Sequence, residues 1–167
     1  MINHQELREK FKPKKIKVLF LAESPPENDT FFFSAKGGFY NYTKQVFIEL
    51  FEEEIEKYDD FLHYFQNKGY FLDDLCHDPK TFKEIRSNKN IYIKELRGRL
   101  KLCNPQAIII TLKRINGLAH EAIEQSNISI KPELIFTLSF PGNGWQNEYK
   151  SGLRTVLNDL ITKNILT

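Results

Sequence analysis

The chain has 167 residues, enough for one domain with its own core, and its 41% hydrophobic and 28% charged residues are ordinary for a globular protein. A net charge of +2 argues against a molecule whose whole surface is built for a polyanion. No apolar run approaches the roughly 18 residues of a membrane span, the opening Met1-Ile2-Asn3-His4-Gln5 lacks the apolar core of a signal peptide, and two cysteines cannot build a disulfide framework.

In chain order, a basic N-terminal helix and tail come first, with Arg8, Lys10, Lys12, Lys14, Lys15 and Lys17 crowded together. A solvated charged surface accounts for this run, and the strip from Lys12 to Lys17 is also able to hold phosphates. The apolar run Lys17–Ala22 then reads as a strand and breaks into Glu23-Ser24-Pro25-Pro26. Three consecutive phenylalanines, Phe31, Phe32 and Phe33, follow, and then Gly37-Gly38. A loop exposing that much apolar area is costly, so it must fold back on the body or wall a pocket for something flat. Val46, Phe47, Leu50, Phe51 and Ile55 recur at helical spacing, and Gly69 closes a second helix after Asn67-Lys68.

Tyr70–Leu75 is the second strand, and Tyr92, Leu96, Leu100 and Cys103 mark a helix that Asn104-Pro105 stops. Ala107–Thr111 is the third strand, and Ile115, Leu118, Ala119 and Ile123 form the next helical face. Leu134–Ser139 is the fourth strand, and Leu153, Val156, Leu157, Leu160 and Ile161 belong to a closing helix. Short strands without clean period-two alternation suit a sheet covered on both faces. Strands alternating with helices predict a single-domain α/β protein: a three-layer α/β/α sandwich around a four-stranded parallel sheet, with Lys17–Ala22 in its interior.

In such a sheet ligands bind beyond the carboxyl ends of the strands. Those ends read AESPP, DDLCHDP, TLKRING and LSFPGNGWQ, rich in polar, proline and glycine residues. No GxxxxGK[ST], strand-following GxGxxG or GxSxG sequence is present, which excludes a phosphate loop and a serine nucleophile elbow. Zinc on Cys76, His77, Cys103 and His120 lacks any close-spaced ligand pair, and no metal is expected there. Asp73, Asp74, Asp78 and Glu23 on Mg²⁺ remain open as a metal-dependent phosphohydrolase site. The stretch Gly142-Asn143-Gly144-Trp145-Gln146 offers backbone and side-chain amides at the last strand end.

Taken in order, KVLFLAESPP, GYFLDDLCHDP, NPQAIIITLKRINGLAHEAI and TLSFPGNGWQNEYKSGLRTVLNDL resemble the motifs of the uracil-DNA glycosylase superfamily over most of the chain. The first resembles its strand and Gly-acid/polar-x-Pro loop, and the last its His-Pro loop and closing helix. The resemblance implies Glu23 as the acidic residue of the first loop, beside Ser24, with Pro25 as its proline. It implies a base-stacking ring from Phe31, Phe32 or Phe33, and Asp73 in the place of the asparagine that reads the base edge, with Asp74 and His77 beside it. Phe140-Pro141, followed by Asn143, stands where many members carry His-Pro. Ala22 replaces the leading glycine, and the four iron–sulfur cysteines are missing.

The activity this implies is cleavage of an N-glycosidic bond in DNA after base flipping, with Glu23 and Asp73 as catalytic carboxylates. The remaining residues named above would bind substrate. It implies single- or double-stranded DNA as the partner; no cofactor is expected, and the chain is expected to act as a monomer. The missing signal-peptide core and membrane-length apolar run lead to the expectation of a cytoplasmic location without a membrane partner. A non-catalytic nucleic-acid or nucleobase-binding module of the same fold is the alternative, and the metal-dependent phosphohydrolase is the second.

Overall fold

The structure, a computed structural model, describes residues 2–166. Strands β1 (Val18–Ala22), β2 (Tyr70–Asp74), β3 (Ala107–Ile110) and β4 (Ile135–Thr137) form one sheet in the order β2-β1-β3-β4. Every pairing is parallel: Val18 sits opposite Tyr70 on one side and Ala107 on the other, and Ile108 opposite Ile135. The first three strands are buried along their whole length, as their unbroken apolar runs require. The interior position of β1 agrees with the sequence. β4 is shorter than its apolar run suggests, because Pro132–Leu134 is wound into a single 3-10 turn.

Among the described residues seven α-helices surround the sheet: α1 (His4–Phe11), α2 (Gly37–Ile55), α3 (Phe61–Asn67), α4 (Phe82–Ser87), α5 (Lys89–Cys103), α6 (Asn116–Ser126) and α7 (Gln146–Thr162). Alternation along β1 decides which face each layer covers. Phe20 meets Phe47 of α2 and Phe65 of α3, whereas Leu19 faces Arg99, Leu102 and Cys103 of α5 across a small cavity. α2 packs on α7, tied by a 2.6 Å hydrogen bond between Thr43 and Tyr149, and α5 packs on α6. The result is the three-layer sandwich. Among the described residues no helix is long and apolar enough to cross a membrane.

Two elements depart from expectation. α4 has no apolar periodicity strong enough to announce it; its capping box does, with Thr81 and Glu84 each bonding the other's backbone N–H. α2 begins at Gly37, well before its apolar stripe, so Gly37-Gly38 belongs to a helix start and not to a long loop. Gly37 has a φ of +88°, and a Cβ there would lie 2.8 Å from Thr30 Cβ, so the tight entry into α2 requires glycine.

The triple phenylalanine serves the core. Phe31, Phe32 and Phe33 are 2%, 3% and 2% exposed. Phe32 packs on Tyr40 and Phe65 on the α2–α3 side, while Phe33 lies between Phe11 of α1 and Phe71 of β2. Tyr70 and Phe71 point to opposite faces of β2, so the segment wraps the outer edge of that strand and shields it. The base-stacking wall expected of Phe31–Phe33 is therefore corrected: these rings bury the sheet edge. Only Phe31 and Phe32 also present part of their surface to the cleft described next.

Candidate functional site

The carboxyl ends of the strands open into a cleft of about 1180 Å³. Glu23, Ser24 and Pro25 reach it from the end of β1, Leu72 and Asp74 from β2, and Arg114 from the segment after β3. Phe140, Pro141 and Asn143 reach it from the segment after β4. Gly38 and Phe39, at the start of α2, complete the wall. Among the described residues no side chain caps α2, so its first-turn N–H groups are left for solvent or a ligand. Ser24 is not aimed freely into the cleft; its hydroxyl donates to the Lys80 carbonyl at 2.9 Å and pins the β1 loop to the one after β2.

The aromatic side of the cleft is formed by Phe39 and Phe140, whose ring planes are inclined at 60° to one another. Their rings meet at 5.2 Å between centroids, and Phe39 rests in turn on buried Tyr149 at 5.9 Å. Phe140 is 37% exposed, in contrast to Phe31–Phe33, so its ring is available for contact. Asn143 adopts a left-handed φ of +52° in the turn that carries the loop towards Trp145 and α7.

Glu23 is held in a bidentate pair by Arg114, with Nε and Nη2 donating to its two oxygens at 2.7 and 2.6 Å. This geometry fixes the carboxylate plane. Arg114 is itself stacked over Phe82 at 5.2 Å and remains half exposed, so its guanidinium faces both the carboxylate and solvent.

Asp73 and Asp74 are adjacent and point to opposite faces of the sheet, as consecutive strand residues must. Asp74 shares the face of Leu72 and reaches the floor of the cleft. Asp73 shares the face of Phe71 and lies in a separate cavity, with His77. The placement of Asp73 and His77 in the cleft with Glu23 is thus corrected by one step of strand register. Asp74 is the carboxyl group that β2 offers to the cleft.

The two acids differ electrostatically. Burial pushes the Asp74 carboxyl up to about 6; Arg8, donating from Nη2 to Oδ2 at 2.5 Å, opposes that rise, and the neighbouring Asp73 charge adds to it. Burial acts on Asp73 in the same direction but is outweighed by its hydrogen bond to His77 and by the Arg99 guanidinium, which hold it below the usual range. Arg8 is 2% exposed and also lies over the Phe31 ring at 5.1 Å.

Among the described residues no group of three or more His, Cys, Asp or Glu is arranged to hold a metal ion. Asp73 and Asp74 diverge, and Glu23 is engaged by Arg114, so the Mg²⁺ arrangement of Asp73, Asp74, Asp78 and Glu23 does not assemble. Cys76 is buried beside the Asp78 carbonyl, apart from a Cys103 that lines the second cavity, so the zinc set does not form either.

Sequence reasoning missed Arg8, Phe39 and Arg114. TLKRING marks Arg114 as a cation at a strand end, which was the available sign for it. Phe39 stood one residue beyond a glycine pair read as loop, and nothing in the basic N-terminal run distinguishes Arg8, the buried one, from its exposed neighbours. No protein-family model matches the chain, and no curated protein matches it in sequence.

Proposed function

We propose that the cleft receives a nucleobase turned out of a nucleic-acid strand, and that the protein is a DNA glycosylase-like enzyme. The observation that carries this reading is one cleft joining two aromatic rings, half-buried Phe39 and exposed Phe140, to two carboxyl groups, Glu23 and Asp74. The likeness of LAESPP and the later motifs to the uracil-DNA glycosylase superfamily points the same way. A base stacked on one aromatic ring gains about 1–3 kcal/mol, which offsets much of the few kcal/mol spent unstacking it from a duplex.

In this reading Glu23 faces the sugar. Breaking the bond between C1′ and the base nitrogen leaves cationic character on the sugar and negative charge on the base. A carboxylate held in place by Arg114 stabilises the first and orients the water whose oxygen adds to C1′, the base leaving with a proton. Asp74 reads the base edge. Its Oδ2 is taken by Arg8, so when ionised it offers acceptor capacity only, suited to a base edge that presents N–H donors.

The test is single-turnover formation of abasic sites in oligonucleotides carrying uracil, hypoxanthine or xanthine. Wild type should cleave at least one, and Glu23→Gln should lose about 10²–10⁴-fold in rate while still binding that base. Asp74→Asn, which adds a donor, should move preference towards uracil. A second reading, a base-binding module without catalysis, is favoured by Phe140 standing where an imidazole would donate to the leaving base. Silence of the wild type on every base, with retained binding to base-modified strands, would establish that reading over the enzyme.

A further inference from the structure

The second cavity, of about 390 Å³, opens on the α5 face of the sheet, away from the cleft. Its floor is Asp73, 4% exposed, whose Oδ1 meets His77 Nε2 at 2.6 Å while Oδ2 accepts from Arg99 Nε at 2.7 Å. Arg99 Nη2 is fixed on the Asp74 carbonyl at 2.7 Å, and no partner among the described residues takes its Nη1. A buried carboxylate thus holds an imidazole and a guanidinium side by side, each with one nitrogen left over.

The rim is cationic. Lys12, Lys14 and Lys15 line it, are exposed, and form no ion pair among the described residues. Gln66 Nε2 donates to the carbonyls of Lys10 and Lys12 at 2.9 and 3.1 Å, which holds that stretch in place. Beneath it lies Arg8, whose buried Nε has no acceptor among the described residues. The opposing carboxylates are Asp73, already saturated, and Glu9, which accepts from Gln5 at 3.0 Å. Positive charge is in excess, and it is concentrated around a concavity with pre-positioned donors.

We propose that this cavity binds a phosphomonoester dianion, with Arg99 as its fixed donor, His77 beside it donating from Nδ1 only as the imidazolium, and the three lysines closing on it from the rim. A planar guanidinium braced by a carboxylate suits phosphate oxygens, and lysines supply unpaired point charges. The volume falls within the roughly 300–1,000 Å³ of small-ligand sites, and a pocket of that size suits a terminal phosphate better than the continuous diester of a strand. The site stands independently of the reading given to the cleft. Its ligand is either a free sugar phosphate or the 5′-phosphate end of a nucleic acid, which share this chemistry.

The experiment is calorimetric and NMR titration of the full chain, at fixed ionic strength, with inorganic phosphate and ribose 5-phosphate. The same titration is run with oligonucleotides carrying either a 5′-phosphate or a 5′-hydroxyl. The proposal expects saturable binding of both small ligands, shifts of the His77 ring and Arg99 Nε–H signals, and a loss of tenfold or more in Lys12→Ala/Lys14→Ala/Lys15→Ala. Those lysines are exposed, so the triple variant should fold as wild type does. A preference for the 5′-phosphorylated oligonucleotide that the variant abolishes assigns the nucleic-acid end; equal affinity for both oligonucleotides assigns the free sugar phosphate. No saturable response to phosphate or ribose 5-phosphate at millimolar concentration, an equal response to chloride, or unchanged affinity in the triple variant would overturn it.

Discussion

Two neighbouring aspartates carry opposite consequences for stability with pH. Asp73 has a folded pKa below its ordinary value, so it contributes stability above about pH 4 that is lost as pH falls through the lowered value. Asp74 has its pKa raised from 3.8 to about 6, so its contribution is fully present below about pH 4 and is lost as pH rises through 6. A rise of that size corresponds to about 3 kcal/mol. The stability difference between Asp74→Asn and wild type should therefore move by about 3 kcal/mol in the variant's favour between pH 4 and pH 7. Urea unfolding at closely spaced pH values measures this, and a difference that stays flat across the interval would refute the raised pKa. The sequence showed two acids at a strand end; which of them faces the cleft depended on strand register, and a one-residue change exchanges their roles. Their burial beside Arg8 and Arg99 was equally hidden, since both partners come from helices distant in the chain.

Among the elements, the Phe31–Phe33 segment and the start of α2 divide what sequence had merged. Apolar residues in a supposed loop were legible as buried or ligand-walling, and only tertiary packing decides between those outcomes. Phe33, stacked between Phe11 and Phe71, does structural work; Phe39, half buried against Phe140, is available to a ligand. Phe33→Ala should destabilise by about 3–5 kcal/mol through the cavity it leaves. Phe39→Ala should cost less than half as much stability and yet remove most affinity for base-modified oligonucleotides. Denaturant midpoints and binding titrations on both variants check this, and reversal of the two patterns would place the stacking ring in the phenylalanine triplet after all. The strands were the most legible elements because their apolar runs are unbroken, and β4 the least, its first turn taken by Pro132. α4, held by a capping box and a single buried Ile85, offers almost no periodicity to read.

At the scale of the molecule, α1 ties the two cavities to one body. Phe11 enters the core beside Phe33, and Arg8 reaches the far end of β2, so a helix of eight residues anchors the outer edge of the sheet and the floor of the cleft together. Removing residues 1–12 should leave Asp74 buried without its counter-charge and uncover Phe33 and Phe71. Breaking a buried pair in this way commonly costs about 3–5 kcal/mol before the lost apolar burial is counted. Far-UV and near-UV circular dichroism should follow one coincident transition in the full chain and separate in the truncated one. Coincident transitions in both would show that α1 is an accessory.

The place of β1 between β2 and β3 also sets an order in time. Val18 must wait for Tyr70 on one flank and Ala107 on the other, so neither pairing of the central strand is local in sequence. While the chain emerges from the ribosome, Val18-Leu19-Phe20-Leu21 has no strand neighbour until β2 is made and only one until β3 follows. Contacts of such long sequence separation make folding slow and leave an unpaired apolar edge open to other chains in the interval. A nascent chain halted before Ala107 should therefore depend on holding factors to stay dispersed, and release from them should require the arrival of β3.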